Sequence, residues 1–339
     1  MAKTNSQVGA RTKPKLNDKY GGFLVIGDPH LEGRQPGFRS DDFPQVVLKK
    51  LEWCLNYAKE NLLLPVFLGD IFDKPRDNPT WMLGRLIEIM SRVPSIGIYG
   101  NHDCAEPELN DNDSLSILIK AGCIRLVSEE KPWRGIMNDR LVFVGGSSYR
   151  QKVPFEFPLP RKRRQGLFDY EPFVMWLTHH DITMPGYDAG RFKPHEIENV
   201  TLLINGHIHR QLDDVQAGET LWITPGNITR RSRSDACKAH VPSVLRLEVQ
   251  SEDYTLTRIE VPHKKYDEVF HSAVTTEKVE LSSSEFVSGL AELNSRKTQS
   301  GAGLHSFLAE NLSAFEPVIA DEIMALAQEV TATGELSDA

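Results

Sequence analysis

Ile96-Gly97-Ile98-Tyr99-Gly100-Asn101-His102-Asp103 is the stretch on which the reading of this chain turns. Residues 96–99 have the apolar character of a short buried strand. At its end a glycine lets the backbone turn sharply and sets an amide, an imidazole and a carboxylate side by side. Asn101 offers a neutral carbonyl oxygen, His102 an acid or base near neutral pH, and Asp103 a fixed charge. In most proteins such a tetrapeptide is an ordinary turn. It gains weight here because four other polar clusters also follow apolar strands.

Those clusters are Asp28-x-His30 after residues 23–26, Gly69-Asp70-x-x-Asp73 after 65–68, His179 after 173–177, and Gly206-His207-x-His209 after 202–204. In α/β sheets ligands gather beyond the carboxyl ends of strands, so residues distant in sequence can converge there. Asp-x-His alone is a weak signal. Gly-His-x-His after a strand is sharper, because the intervening residue points away and both imidazoles reach one centre. Imidazole with carboxylate suits Mn, Fe or Zn, and the lack of thiolate argues against a structural zinc site. The donors are too many for one ion and suit two, with one carboxylate shared. A pair of ions ~3.5–4 Å apart activates water and holds both oxygens of an in-line displacement at phosphorus.

The bulk numbers are ordinary for a soluble globular protein. The chain has 339 residues, 40% hydrophobic and 25% charged, with a net charge of −8. That length allows one large domain with an appendage. The acidic balance excludes a globally basic nucleic-acid binder but not a local basic patch. Cys54, Cys104, Cys123 and Cys237 have no C-x-x-C spacing and read as reduced thiols. No run approaches the ~18 apolar residues of a membrane span. Residues 1–20 read as a flexible basic tail rather than a signal peptide. The expected location is cytoplasmic or nucleoid-associated.

Apolar positions 43, 47, 51, 55, 58 and 62 recur at helical spacing. Asn78-Pro79 opens a second helix and Asp113 a third, stopped by Gly122. This strand–helix alternation predicts parallel βα units over the first 125 residues. Residues 141–144 read as a strand ending at Gly145-Gly146. Residues 149–172 break the pattern and carry the run Arg161-Lys162-Arg163-Arg164. Beyond them the chain is richer in β-structure and closes on a hairpin near 243–249 and 254–261. The composition shifts near Pro262. Residues 263–339 read as a small helical unit, which packs on its own catalytic domain or docks a partner.

Over about residues 22–250 these motifs resemble the calcineurin-like metallophosphoesterase superfamily. The resemblance implies an α/β fold: a two-sheet β-sandwich core flanked by helices, spanning residues 21–262. Carried over residue by residue, it gives Asp28, His30, Asp70 and His209 to one ion. It gives Asp70, Asn101, His179 and His207 to the other, with Asp70 bridging. His102 is then the non-ligand histidine that stabilises the phosphoryl oxygens or protonates the leaving oxygen. Asp73 supports the Asp70 loop, and Asp103 either orients His102 or opens the next segment. His179 rather than His180 is the expected ligand of that pair.

Protein phosphatases of the superfamily carry Gly-Asp-x-Val-Asp-Arg-Gly and Gly-Asn-His-Glu, which this chain does not. Gly69-Asp70-Ile71-Phe72-Asp73, with Pro225-Gly226-Asn227 followed by Arg230, Arg231 and Arg233, is similar to the SbcD-type recombination nuclease branch. Asn227 departs from the Pro-Gly-Ser of that branch. This likeness implies a DNA exo/endonuclease subunit using two divalent ions, Mn2+ foremost with Mg, Fe or Zn as alternatives. It also implies an SbcC-like SMC-type ATPase partner, and leaves a homodimer open. Arg161–Arg164, Arg230, Arg231 and Arg233 are the expected DNA contacts. A small-molecule phosphodiesterase or nucleotide phosphatase is the other reading.

Overall fold

Phe23, Leu24, Val25 and Ile26 are all fully buried, so the first strand is covered on both faces. A computed structural model describes residues 19–36, 39–159, 170–232 and 234–270. Most of the expected basic tail, the run 161–164, Arg233 and the helices expected beyond residue 270 lie outside them.

In chain order the elements begin β1 (Gly22–Ile26), α1 (Phe43–Glu60), β2 (Leu63–Phe67), α2 (Thr80–Met90), β3 (Ser95–Gly97), α3 (Ser114–Lys120) and β4 (Ile124–Leu126). β1 to β4 lie parallel, each joined to the next through a helix. This is the alternation the sequence predicts. A β-hairpin follows, β5 (Trp133–Met137) and β6 (Arg140–Ser147), and then β7 (Phe173–Thr178), β8 (Leu202–Asn205), β9 (Val215–Ala217) and β10 (Thr220–Ile223). The short helix α4 (Asp235–Ala239) leads to the hairpin β11 (Ser243–Val249) and β12 (Tyr254–Glu260), and α5 (Tyr266–Val269) comes last. The strands form two mixed sheets of six, ordered β12-β11-β1-β2-β3-β4 and β5-β6-β7-β8-β10-β9.

Side chains alternate across a strand, and here the alternation feeds three cores. Leu24 and Ile26 join Val47, Leu51 and Leu55 of α1 under the helices. Phe23 and Val25 face the other way and meet Val142, Val144, Met175 and Leu177 of the second sheet. The opposite faces of β7 and β10 bury Trp176 and Trp222 beneath the loops. Two sheets packed in this way place the carboxyl ends of their parallel strands along one edge.

Several boundaries differ from expectation. β6 does not stop at Gly145-Gly146 but runs through both to Ser147. The glycine makes room for a neighbour: a Cβ on Gly145 would lie 2.4 Å from the Trp176 ring. β4 and β9 have three residues each, too few for a periodic signal. Packing also continues past Pro262. Phe270 forms an antiparallel bridge with Arg39, whose guanidinium lies 4.8 Å from the Phe43 ring centre and 4.9 Å from that of Phe270. All four cysteines are free thiols. Among the described residues no helix is long and apolar enough to cross a membrane.

Gly145→Ala should cost about 1–3 kcal/mol through overpacking against Trp176. The check is the urea midpoint, expected to fall at constant slope. An unchanged midpoint would contradict the close contact.

Candidate metal centre

Each expected ligand sits on the loop that leaves the carboxyl end of a strand. Asp28 and His30 follow β1, Asp70 follows β2 and Asn101 follows β3, all in the first sheet. His179 follows β7, and His207 and His209 follow β8, in the second. The loops are held in uncommon backbone. Asp28, His30, Asp70 and His207 have φ of 30°, 46°, 46° and 70°, the left-handed region that costs side-chain-bearing residues about 1–3 kcal/mol. Hydrogen bonds between loops offset this. His30 N donates to Asp70 O at 2.9 Å, and Asp73 N to Leu31 O at 3.0 Å. The Asp103 carboxylate accepts from Gly100 N at 3.0 Å and Phe72 N at 3.1 Å. Gly100 itself is tightly enclosed, since a Cβ there would lie 2.1 Å from Asp70 Oδ1.

Two donor sets meet at Asp70. In the first, His30 Nε2 lies 3.4 Å from Asp70 Oδ2 and 2.8 Å from His209 Nε2. In the second, His179 Nε2 lies 3.2 Å from the same Asp70 oxygen and 3.2 Å from Asn101 Oδ1. His207 Nδ1 is 3.0 Å from that Asn101 oxygen. The sets His30, Asp70, His209 and Asp70, His179, His207 can each bring one ligand atom per residue within 4.8 Å of the others. Asp28 lies beside them, its Oδ1 3.7 Å from His179 Nδ1.

The donors fit a pair of cations. Both oxygens of Asp28 are buried and, among the described residues, accept no hydrogen bond. A charge in that state is strongly disfavoured unless a cation meets it. His179 Nδ1–H donates to Leu68 O at 2.7 Å, which leaves Nε2 turned to the oxygens of Asp70 and Asn101. A backbone carbonyl can only accept, so this bond leaves Nε2 as the nitrogen free to meet a cation.

With protein groups alone, the electrostatics are sharply split. Burial pushes the Asp28 carboxyl up to about 8, with the His179 imidazole opposing and Asp70 reinforcing. Burial would also raise Asp70, but the His179 imidazole and its hydrogen bond outweigh it and hold that carboxyl well below its ordinary value. His179 loses by burial and gains more from Asp70, rising to about 9. Burial followed by Arg231 lowers His209 to about 3, and burial followed by His179 lowers His207 to about 4. His30 is also pushed well below the usual histidine range, by burial and then by Arg231. Neutral His30, His207 and His209 beside an ionised Asp70 make a set that could hold a metal ion.

The structure brings all seven expected ligands together. His179 faces the centre fully buried, while His180 Nε2 turns to Gln151 O at 2.7 Å. His102 stands at the rim, 38% exposed, with its Nδ1–H donating to Asp73 O at 2.7 Å. Its orientation therefore comes from the Asp73 backbone. Asp103 instead ties the Gly100 turn to the Phe72 loop.

The two described arginines expected on DNA have different surroundings. Arg230 is buried, and its guanidinium donates to His240 O at 2.8 Å and Lys264 O at 3.1 Å. Arg231 turns into the site, where it pairs with the Asp73 carboxylate and lies 3.1 Å from His30 Nδ1. Beside it a pocket of about 260 Å³ is lined by His207, His209, Arg210 and Tyr187. Arg210 and Tyr187 carried no motif; adjacency to His209 was the one available sign for Arg210. The Leu68 and Asp73 carbonyls, which orient two histidines, leave no mark in a sequence.

Mn2+ at 100 times its dissociation constant should stabilise the protein by about 2.7 kcal/mol per site, read as a rise in Tm that EDTA reverses. Asp70→Asn should remove most of that rise. A variant that kept the full shift would place the cations elsewhere.

A family model for calcineurin-like phosphoesterases matches residues 22–211. A search of the curated proteins found no match. Among solved structures, the chain is similar to a hypothetical protein from Thermus thermophilus at 14% identity, covering 71% of this chain and 99% of that one with a TM-score of 0.41. It is similar to a 5'-nucleotidase precursor from the same organism at 11% identity, covering 71% of this chain and 54% of that one with a TM-score of 0.39. A conserved uncharacterized protein from Streptococcus pneumoniae, a predicted phosphoesterase, aligns at 11% identity over 73% of this chain and 93% of that one with a TM-score of 0.32. The family match spans more than half of the sequence and contains both donor sets, so the chain belongs to the calcineurin-like phosphoesterases, metal-binding hydrolases of phosphoesters.

Proposed function

We propose that this protein is a metal-dependent phosphodiesterase acting on DNA, an exo/endonuclease subunit of the SbcD type working with an SbcC-like SMC-type ATPase. The observation that carries the phosphodiesterase part is the Asp70 carboxylate, one oxygen of which faces His30 at 3.4 Å and His179 at 3.2 Å. The DNA part rests on the Gly69–Asp73 and Gly100–Asp103 motifs and on the basic run at 161–164.

Asp28, His30, Asp70 and His209 would hold one divalent cation, and Asp70, Asn101, His179 and His207 the other, with Mn2+ the expected ion. Such a pair supplies Lewis-acid polarisation of the phosphoryl oxygens and a water of lowered pKa. The chain supplies the proton. With Nδ1–H fixed on Asp73 O, the other ring nitrogen of His102 is left for substrate. As water attacks phosphorus and the P–O bond to the sugar breaks, imidazolium His102 gives its Nε2 proton to the departing oxygen. A sugar alkoxide is a poor leaving group, so this transfer matters. Arg210 and Arg231 line a pocket next to His207 and His209, within which they could meet the charge of a phosphate.

His102→Ala should keep its metal content and lose about 10²–10⁴ in turnover of DNA. A p-nitrophenyl diester, whose leaving group needs no proton, should lose much less. Parallel loss of metal and activity would contradict the assigned role. Linear and hairpin DNA should be cut with Mn2+ present, and alanines at 161–164 should reduce the salt dependence of DNA binding. The rival substrate class is a nucleotide or other small phosphodiester, favoured by a pocket of only about 260 Å³. Turnover of bis(p-nitrophenyl) phosphate with no measurable DNA binding or cleavage would select it.

A further inference from the structure

The loop after β10 borders two cavities. Arg231 lines the pocket beside His207 and His209, and its neighbour Arg230 lines a separate cleft of about 680 Å³. None of the metal-centre donors lines this second cleft.

Three cations are buried around it. Arg39 is 4% exposed, Lys50 7% and Arg230 9%. Their polar atoms are satisfied mostly by backbone carbonyls. Lys50 Nζ donates to Ile228 O at 2.7 Å, Arg39 Nη1 to Arg230 O at 2.6 Å, and Arg230 Nε to His240 O at 2.8 Å. One carboxylate serves the group: Asp41 takes Arg39 Nε at 2.7 Å and Nη2 at 2.6 Å. Carbonyl dipoles satisfy hydrogen bonds but do not cancel net charge. Asp41 balances Arg39, so Arg230 and protonated Lys50 keep positive charge with no carboxylate paired to them among the described residues, a costly arrangement in a low-dielectric setting.

The rim does not correct the excess. Lys49 and Lys264 stand there against Asp42 and Glu268. Asp42 accepts from Gln45 N and Glu268 from Lys265 N, bonds that leave both carboxylate charges in place, so two lysines and two carboxylates cancel and the floor keeps its excess. The first turn of α1, an 18-residue helix, also borders the cleft and adds its partial positive end. Burial, then Arg39 and Arg230, push Lys50 down to about 7. A dianion seated in the cleft would relieve each of these.

We propose that this cleft is an anion site for a phosphate-bearing ligand with at least two negative charges, held by Lys50, Lys49 and Lys264 over the Arg39–Arg230 floor. A free nucleotide polyphosphate and the phosphorylated end of a nucleic-acid strand share that chemistry. The site is independent of the metal centre and of the substrate assigned to it.

The test is titration calorimetry and thermal unfolding of the full chain with pyrophosphate, ATP and a 5'-phosphorylated oligonucleotide. Pyrophosphate should bind and raise Tm in the wild type, and should still do so in Asp70→Asn, where the metal centre is disabled. Lys50→Met should weaken binding at least tenfold. So should the rim variant Lys49→Glu with Lys264→Glu, which removes no buried group and serves if Lys50→Met folds poorly. Both should hydrolyse bis(p-nitrophenyl) phosphate at the wild-type rate. Tighter binding of ATP than of the oligonucleotide identifies a nucleotide site, and the reverse identifies a strand end. No pyrophosphate binding, or binding lost in Asp70→Asn and unchanged in the rim variant, would overturn the proposal.

Discussion

One carboxylate, Asp70, sets the terms for the rest of the molecule. It is 1% exposed and sits at φ 46°. Its Oδ1 accepts the His102 amide at 2.8 Å, and its Oδ2 faces imidazole nitrogens from both sheets. A buried carboxylate of this kind demands opposite charge. Within the protein His179 supplies part of it, and the neighbouring His30, His207 and His209 are held neutral by burial. The centre is therefore an acceptor-rich hollow rather than a set of closed ion pairs.

The sandwich exists to support that hollow. Alternate residues of β1 hold it between the helices and the second sheet, so neither sheet can slide without emptying a core. The strands then end at fixed points, and the loops between them are zipped by backbone bonds and by the Asp103 carboxylate. Strain at left-handed Asp28, His30, Asp70 and His207 persists because this frame over-determines them.

Much of this was legible in the amino-acid sequence, for physical reasons that differ by element. Fully buried strands such as residues 23–26 and 173–177 announce themselves as apolar runs, and each is followed by polar residues no core would tolerate unpartnered. That combination is the sequence signal for the residues that the fold brings together around Asp70. The 18-residue helix α1 was readable from its period. β4 and β9 were not, because three residues carry no period. The reach of β6 through two glycines was hidden, since its cause is a Trp176 ring from another strand. The roles of Asp103, Arg230 and Arg231 were hidden in the same way: each is decided by a partner outside its own motif. Sequence order shows consecutive arginines, and only the fold separates Arg231 beside His207 and His209 from Arg230 in the basic cleft.

The basic cleft and the metal centre share a design in which one sign of charge is gathered beyond what the protein itself balances. At Asp28 and Asp70 it is negative or acceptor-rich, and around Lys50 it is positive. The central claim is that Asp70 is shared by two cations. The most direct measurement is anomalous diffraction from crystals grown with Mn2+. The account predicts two peaks flanking the Asp70 carboxylate, one beside His30 and His209, the other beside Asn101, His179 and His207. A single peak, or peaks away from Asp70, would contradict it.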